Sequence, residues 1–240
     1  EKQAAIEIER LLKFPGFLKR DSFAKGRVEI VELRVDERSR LCNVALSELN
    51  RVIKCRVLVC AVLRRGDVVA PDGSFVLREG DRIFVTASTE SLATLLDNLG
   101  IITKKVNHVM ICGGGRVSYY LAQQLEKDGM TVRLIEKDPK HCEELAALLP
   151  KTEIINDDAS NTFVLKRENI ESCDALVTAT GMDELNMIIS LYGTKHGVSQ
   201  VITKLGHMEN GSMIDQLPIG STIWPKDLCC NGIVRYIRAM

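Results

Sequence analysis

Ile111-Cys112-Gly113-Gly114-Gly115-Arg116-Val117-Ser118 is the stretch on which the reading of this chain turns. Before it, His108–Cys112 has the short apolar run of a buried strand. After it, Val117, Leu121 and Leu125 recur on one face of a helix expected over Arg116–Asp128. The order is strand, glycine turn, helix. Gly113 permits the tight turn, Gly115 lets the backbone approach a pyrophosphate, and the helix start offers free N–H groups at its positive dipole end. Ser118 stands where the third glycine of such a fingerprint sits, a small-residue departure expected to loosen helix–strand packing slightly.

Context gives the turn its meaning. The next strand, Thr131–Glu136, ends in a carboxylate 23 positions after Gly113. Glu136 is expected to accept both hydroxyls of a ribose and to repel a 2′-phosphate, so the adenosine end should be that of NAD or ATP rather than NADP. Lys137 stands beside it. Working outward, strands are expected at Glu153–Asn156, Ala175–Thr178, Gln200–Thr203 and Thr222–Trp224, with helices at Pro139–Leu149, Asn161–Arg167 and Asp183–His196. Asp138-Pro139 reads as an N-cap followed by proline at the first helical position. In the Asp183 helix, Leu185, Ile188, Ile189 and Tyr192 form a stripe expected to pack on a sheet. Repeated βα units of this length predict an α/β, Rossmann-like, doubly wound parallel sheet. Two loops fall at its ligand-binding edge: Asn156-Asp157-Asp158-Ala159, and Ala179-Thr180-Gly181. Asp158 and Asp183 are also natural helix caps.

Residues 16–104 read differently, as a small α+β module. Strands are expected at Val28–Val35, Cys55–Leu63 and Arg82–Thr86, a short helix over Leu41–Leu49, and a helix opened by Ser88 and closed at Gly100. Within the segment 1–15, residues 1–13 read as an amphipathic helix through Ala4, Ala5, Ile8, Leu11 and Leu12, stopped by Phe14-Pro15-Gly16. The tail after Trp224-Pro225 has the same apolar spacing. Both read as the closing helix of a Rossmann-type repeat and as candidates for crossover into a partner subunit. The chain then looks like a fragment divided into 1–15, 16–104 and 105–240, the last being the nucleotide-binding domain.

Composition narrows the function. Among 240 residues, 45% are hydrophobic and 27% charged, enough for two small cores. Lys plus Arg and Asp plus Glu both number 32, which removes any bulk electrostatic reason to expect nucleic-acid binding. The longest clean apolar run, Val57–Leu63, is far short of the roughly 20 residues that cross a bilayer. Eight scattered cysteines show no zinc spacing and read as reduced core thiols, with adjacent Cys229 and Cys230 as an alternative redox or metal pair. Hydride-transfer machinery is not evident. His108, His141, His196 and His207 have no obvious acidic partner in sequence, and Tyr120 and Tyr192 are each followed four residues later by Gln124 and His196 rather than lysine. A binding domain without a catalytic one points to sensing.

Several segments resemble the regulator-of-potassium-conductance (RCK, or KTN) domain family, and the resemblance covers nearly the whole chain. In the nucleotide half it rests on Ile111–Ser118, Leu134-Ile-Glu-Lys-Asp138, Asn156–Ala159 and Ala179-Thr-Gly-Met-Asp-Glu-Leu-Asn186. In the first half it rests on Ala61-Val-Leu-Arg-Arg-Gly66, Ala70-Pro-Asp-Gly73 and Leu77-Arg-Glu-Gly-Asp81, which are similar to the accessory RCK-C domain. The resemblance implies an RCK-C domain followed by an RCK-N domain, and a non-enzymatic, cytoplasmic regulatory subunit. Such a subunit forms dimers that assemble into a ring and docks on the inner face of a membrane-embedded, Trk-type potassium-translocating subunit. It implies NAD(H) or ATP/ADP as ligand, held by Gly113, Gly114, Gly115, Arg116, Val117, Ser118, Glu136, Lys137, Asp158, Ala159, Thr180 and Gly181. In some relatives the accessory domain binds a second ligand such as a cyclic dinucleotide. The competing readings are an NAD-dependent oxidoreductase and an assembly module with an empty nucleotide site.

Overall fold

A computed structural model describes residues 1–13, 19–23, 28–36, 39–99, 105–206, 214 and 217–238. The chain divides into two compact units, Phe14–Lys104 and Lys105–Met240, the second taking Glu1–Lys13 with it. The stop at Phe14-Pro15-Gly16, the helix end at Gly100 and His207 lie outside the described residues.

After helix α1 (Lys2–Lys13), the first unit contains β1 (Lys19–Phe23), β2 (Val28–Arg34), α2 (Leu49–Ile53), β3 (Leu58–Arg64), β4 (Asp67–Val69), β5 (Arg82–Ala87) and α3 (Thr89–Leu99). Its sheet runs β1-β2-β5-β3-β4 with every neighbour antiparallel. Strand alternation sends Val31, Leu33, Ile83 and Val85 into a core shared with Leu49 and Ile53 of α2 and Leu92, Leu95 and Leu99 of α3. Off this core, Glu32 is buried and accepts from Arg82, while Arg64 makes a two-pronged pair with Asp81 at 2.7 Å through each prong.

Local pattern and structure part company here. Instead of a helix over Leu41–Leu49, residues 43–47 pair with 73–77: the N–H of Asn43 reaches the Leu77 carbonyl at 2.8 Å and that of Ser47 the Gly73 carbonyl at 2.8 Å. Asn43, at φ 63°, is incompatible with a continuing helix, and the helix proper waits until Leu49. Two strands carry no apolar alternation to announce them. β1 exists through its pairing with β2, and β4 through the two-residue turn at Arg65-Gly66, whose φ values of 54° and 95° match the right-handed twist of a hairpin.

The second unit alternates: β6 (His108–Cys112), α4 (Arg116–Lys127), β7 (Thr131–Glu136), α5 (Pro139–Leu148), β8 (Glu153–Asn156), α6 (Thr162–Arg167), β9 (Ala175–Thr178), α7 (Asp183–Lys195), β10 (Gln200–Lys204), β11 (Ser221–Ile223) and α8 (Pro225–Arg238). All six strands are parallel in the order β8-β7-β6-β9-β10-β11, the doubly wound Rossmann-like order expected from the sequence. Both faces are covered, so β6 is buried along both: Val109 and Ile111 join one core with α1, α4 and α5, while Met110 and Cys112 join another with α6 and α7.

Three expectations need correction. The apolar stripe of α1 is spent inside the chain: Ala4, Ala5, Ile8, Leu11 and Leu12 pack with Leu121 and Leu125 of α4, and Gln200 donates to the Leu11 carbonyl at 2.6 Å. That stripe is not free for a partner subunit, and residues 1–13 belong structurally with the parallel sheet. On α7 the buried face is Asn186, Ile189, Ser190 and Gly193, rotated from the expected stripe, and Ile188 is exposed. The rotation follows from a chain of hydroxyls, Thr178–Ser190 at 2.9 Å and Ser190–Thr203 at 2.7 Å, that ends on the Ile219 carbonyl. Finally, Cys60, Cys229 and Cys230 are exposed rather than core thiols, and Ile233, Val234 and Ile237 of α8 also face outward.

If α1 is integral to the parallel unit, Ile8→Ala and Leu121→Ala each lower the same unfolding transition by about 2–5 kcal/mol, and Leu95→Ala lowers the other. Urea unfolding followed by residue-resolved hydrogen exchange separates the two. An Ile8→Ala effect confined to fraying of α1 is the contrary outcome.

Candidate functional site

The strand order reverses between β6 and β9, so the loops leaving them diverge and open a crevice at the carboxyl edge of the sheet. There lies a cleft of about 810 Å³, within the range of small-molecule sites. Its floor is set by one close approach. Gly113 sits at φ +97°, and a Cβ built on it would lie 2.8 Å from the Thr180 backbone and 2.9 Å from the Ala179 carbonyl oxygen. No other residue type fits both the conformation and the space.

Gly115 obeys a different constraint. It caps α4 at φ −62°, a conformation open to any residue, and a Cβ there would meet nothing within 4 Å. Its missing side chain leaves the helix start bare toward the cleft. The N–H groups of the first turn, Arg116, Val117 and Ser118, have no partners within the helix, and the dipole adds partial positive charge.

Glu136 is pinned by the turn it faces. Oε2 accepts from the Gly114 N–H at 2.7 Å and Oε1 from the Asp138 N–H at 2.9 Å. A carboxylate has about four acceptor positions, so two remain for ribose hydroxyls. On the other side of the turn His141 accompanies Gly114, its Nε2 lying 2.9 Å from the Gly114 carbonyl oxygen and its Nδ1 3.1 Å from Glu144. In a trans peptide the Gly114 carbonyl and Gly115 N–H point oppositely, so drawing the carbonyl toward α5 directs that N–H away from α5. The Gly114 carbonyl foremost, then Glu144, raise the His141 pKa above its ordinary value, with burial opposing.

The two later loops are tied down from behind. Asp158 is not the cap of α6: it accepts from the Ser160 N–H at 2.8 Å, while Asn161 caps the helix through Phe163. That backbone N–H holds the Asp158 carboxyl below its usual pKa. Buried Asn186 accepts from the Thr180 N–H at 2.9 Å and donates to the Lys204 carbonyl at 2.9 Å, stapling the β9 loop to β10. Asp183, expected as a cap, takes the Gly206 N–H on both oxygens at 2.8 and 2.9 Å.

Gly113, Gly114, Gly115, Arg116, Val117, Glu136, Lys137, Asp158, Ala159, Thr180 and Gly181 all line this cleft. Ser118 does not: it is fully buried against the sheet, its hydroxyl without a partner among the described residues, as expected of a position that in such turns serves packing. His141 and Lys204 also line the cleft and went unforeseen. The signal for His141 was its place in the first turn after the Asp138-Pro139 cap; the pairings His141–Glu144 and His196–Glu171 correct the expectation that the histidines lack acidic partners. Among the described residues no group of His, Cys, Asp and Glu is arranged to hold a metal, and no helix is long and apolar enough to cross a membrane.

A doubly wound unit with a glycine turn at its switch point, in one chain with a small antiparallel unit, defines the class: a Rossmann-type domain with an accessory domain. Residues 109–225 match the TrkA-N domain and residues 30–100 the TrkA-C domain, and the chain belongs to the family that those two domains define. It is 31% identical over 235 residues to the Trk system potassium uptake protein TrkA of Haemophilus influenzae, covering 97% of this chain and 51% of that protein. It is 31% identical over 237 residues to a TrkA homolog of Archaeoglobus fulgidus, covering 98% and 53%. The chain thus spans about half the length of the curated relatives it matches. Among solved structures it shares its fold with the GsuK RCK domain, at 17% identity and a TM-score of 0.62 over 96% of this chain and 50% of that one. It likewise resembles the GsuK channel bound to NAD, at 17% identity and a TM-score of 0.64 over 98% and 42%.

The two glycines separate fold from function. Gly113→Ala destabilises by more than about 1 kcal/mol, whereas Gly115→Ala is neutral to stabilising by about 0.4–1 kcal/mol, read by urea unfolding. His141 carries a pH signature. Because its folded pKa is raised, its stabilisation is complete below the unfolded value and is lost as pH rises through the folded one. His141→Ala therefore lowers the melting temperature more at pH 5.5 than at pH 8.5; equal losses at both would contradict the pairing.

Proposed function

We propose that this chain is part of a nucleotide-sensing regulatory subunit of a potassium uptake system, one that gates transport and is not an enzyme. The observation that carries the reading is the bare start of α4 at Gly115 and the backbone-pinned Glu136 facing one cleft within a TrkA-N domain. A phosphate chain fits the α4 N-terminus, where Gly115 leaves room and Arg116 stands in the first turn. A ribose fits Glu136, with Lys137, Asp158 and Ala159 at the adenosine end and Thr180 and Gly181 opposite. The ligand class is NAD(H) or ATP/ADP. The NAD-bound GsuK channel, alike in fold, and the potassium-uptake names of the relatives support the reading.

The mechanism is a shift in population. A nucleotide that binds one arrangement of neighbouring subunits better than another favours the first, and equal affinity shifts nothing. The partners are further copies of the subunit, as dimers in a ring, and a membrane-embedded potassium-translocating subunit of the Trk type, which places the assembly on the cytoplasmic face of the membrane. The exposed Ile233, Val234 and Ile237 on α8 suit self-association. The buried stripe of α1 does not, and α1 instead fits the closing helix of a preceding repeat delivered to this unit.

Thermal unfolding with ATP, ADP, NAD, NADH and NADPH tests the reading. A ligand at 100 times its Kd adds about 2.7 kcal/mol. Stabilisation by an adenine nucleotide or NAD(H), none by NADPH, and loss of the effect in Gly115→Asp are expected. The variant folds, because its side chain enters open space. No shift with any nucleotide would leave the domain an assembly module.

A further inference from the structure

His141, in the first turn of α5, has its ring set between two acceptors. Nε2 lies 2.9 Å from the Gly114 carbonyl oxygen and Nδ1 3.1 Å from a carboxylate oxygen of Glu144. A carbonyl oxygen only accepts, and so does an ionised carboxylate, so each contact needs a hydrogen on the ring nitrogen. Neutral imidazole has one such hydrogen and imidazolium has two. The geometry is therefore that of the cation. Its two partners, the carbonyl foremost, outweigh the opposing effect of burial and hold the proton on the ring to higher pH than usual.

The charged groups around this ring are otherwise engaged. On α5 itself, Asp138 accepts the Lys140 and His141 N–H groups on Oδ1, and burial raises the pKa of the neighbouring Cys142 thiol and keeps it neutral. At the end of β7, Glu136 adds its field to the ring while accepting the Gly114 and Asp138 N–H groups. Lys137 acts on Asp158, and Asp157 pairs with Arg167 at 2.9 Å. Across the glycine turn, Arg116 pairs with Glu1 at 3.0 Å. The carboxylates and arginines keep their charge between about pH 6 and 9, and an imidazole does not.

The imidazolium reaches the cleft in two ways. The carbonyl that it binds shares a peptide with the Gly115 N–H at the bare start of α4. A charge-assisted bond draws electron density onto that oxygen and makes the N–H across the peptide a stronger donor. The ring also lines the cleft, so its positive charge acts on an anion held there. We propose that His141 is the proton-accepting element of this cleft: an anionic nucleotide binds best to the chain that carries the imidazolium, and its binding draws a proton onto the ring, so that the cleft responds to pH and nucleotide together. This rests on the nucleotide reading above and adds a second input to it. By linkage, a ligand that favours the protonated ring raises the His141 pKa further. Affinity is then highest below the ligand-free value, falls as pH rises through it, and levels off above the ligand-bound value.

The test is isothermal titration of the whole chain, native, His141→Gln and Glu144→Gln, with NAD and with ATP from about pH 6 to 9, in buffers of different ionisation enthalpy, which counts the protons taken up per nucleotide bound. NAD does not ionise in that range, and the terminal phosphate of ATP, which titrates near pH ~6, cancels between native chain and variant. Glutamine keeps a donor for the Gly114 carbonyl and takes up no proton. Lys204, whose pKa burial lowers, also lines the cleft and is retained in both variants. The native chain is expected to take up a fraction of a proton per nucleotide near neutrality and to bind roughly 5-fold more weakly at the top of the range than at the bottom. In His141→Gln that uptake and that part of the pH profile disappear, whatever the affinity itself becomes. Glu144→Gln, at an exposed position, moves the window to lower pH. Proton uptake in His141→Gln equal to that of the native chain, with affinity lowered alike at every pH, would make His141 a structural support and overturn the proposal. So would a native chain whose affinity is flat with pH, or a window unmoved in Glu144→Gln. Those results leave the nucleotide reading standing, whereas a native chain that binds neither NAD nor ATP removes that reading and this one together.

Discussion

The contact between Gly113 and the Thr180 backbone is the constraint on which the cleft at the carboxyl edge of the sheet depends. A parallel sheet whose order reverses between β6 and β9 sends two loops apart at that seam, and the crevice has a defined floor only where those loops touch at their roots. The contact needs a residue with no side chain and a positive φ. From it follow the direction of α4, the reach of Glu136 to the Gly114 N–H, and the path by which Thr180 meets Lys204. The cleft is therefore built mostly from backbone, with side chains acting at its ends.

Behind this edge the side chains form a second layer of restraint. Asn186, wholly buried in α7, ties the β9 loop to the end of β10, and Asp183 ties the residue after Leu205 to the start of the same helix. On the other side His141 and the capped start of α5 hold the Gly114 peptide. Each of these loops at the cleft is thus anchored from the helix that follows it or a neighbouring one. Such anchoring lowers the entropy lost when a ligand is bound, because the loops are ordered beforehand.

The parallel unit was legible in the sequence almost element by element, because its strands are short apolar runs between glycines and capped helices. The Asp138-Pro139 cap and the Glu136 position emerged as read. What escaped was of two kinds. In the antiparallel unit, β1 and β4 hold few or no apolar residues in alternation, and the Leu41–Leu49 segment trades a local helix for pairing with residues 73–77, which no local pattern encodes. In the cleft, Lys204 and His141 are separated from the glycine turn by 91 and 28 positions beyond Gly113, and only the strand order brings the lysine to its place. Ser118 was assigned to the ligand by its place in the motif, but its side chain turns to the sheet.

The placement of α1 bears on how the chain is made. Its partners lie in Leu121, Leu125 and Gln200, and the bond from Gln200 to the Leu11 carbonyl spans 189 positions. The whole antiparallel unit is synthesised between the helix and the sheet that covers it. At ribosomal speeds of about 5–20 residues per second, α1 waits roughly 10–40 seconds before β10 emerges. Throughout that interval Ile8, Leu11 and Leu12 await the last of the elements they pack with in the finished unit.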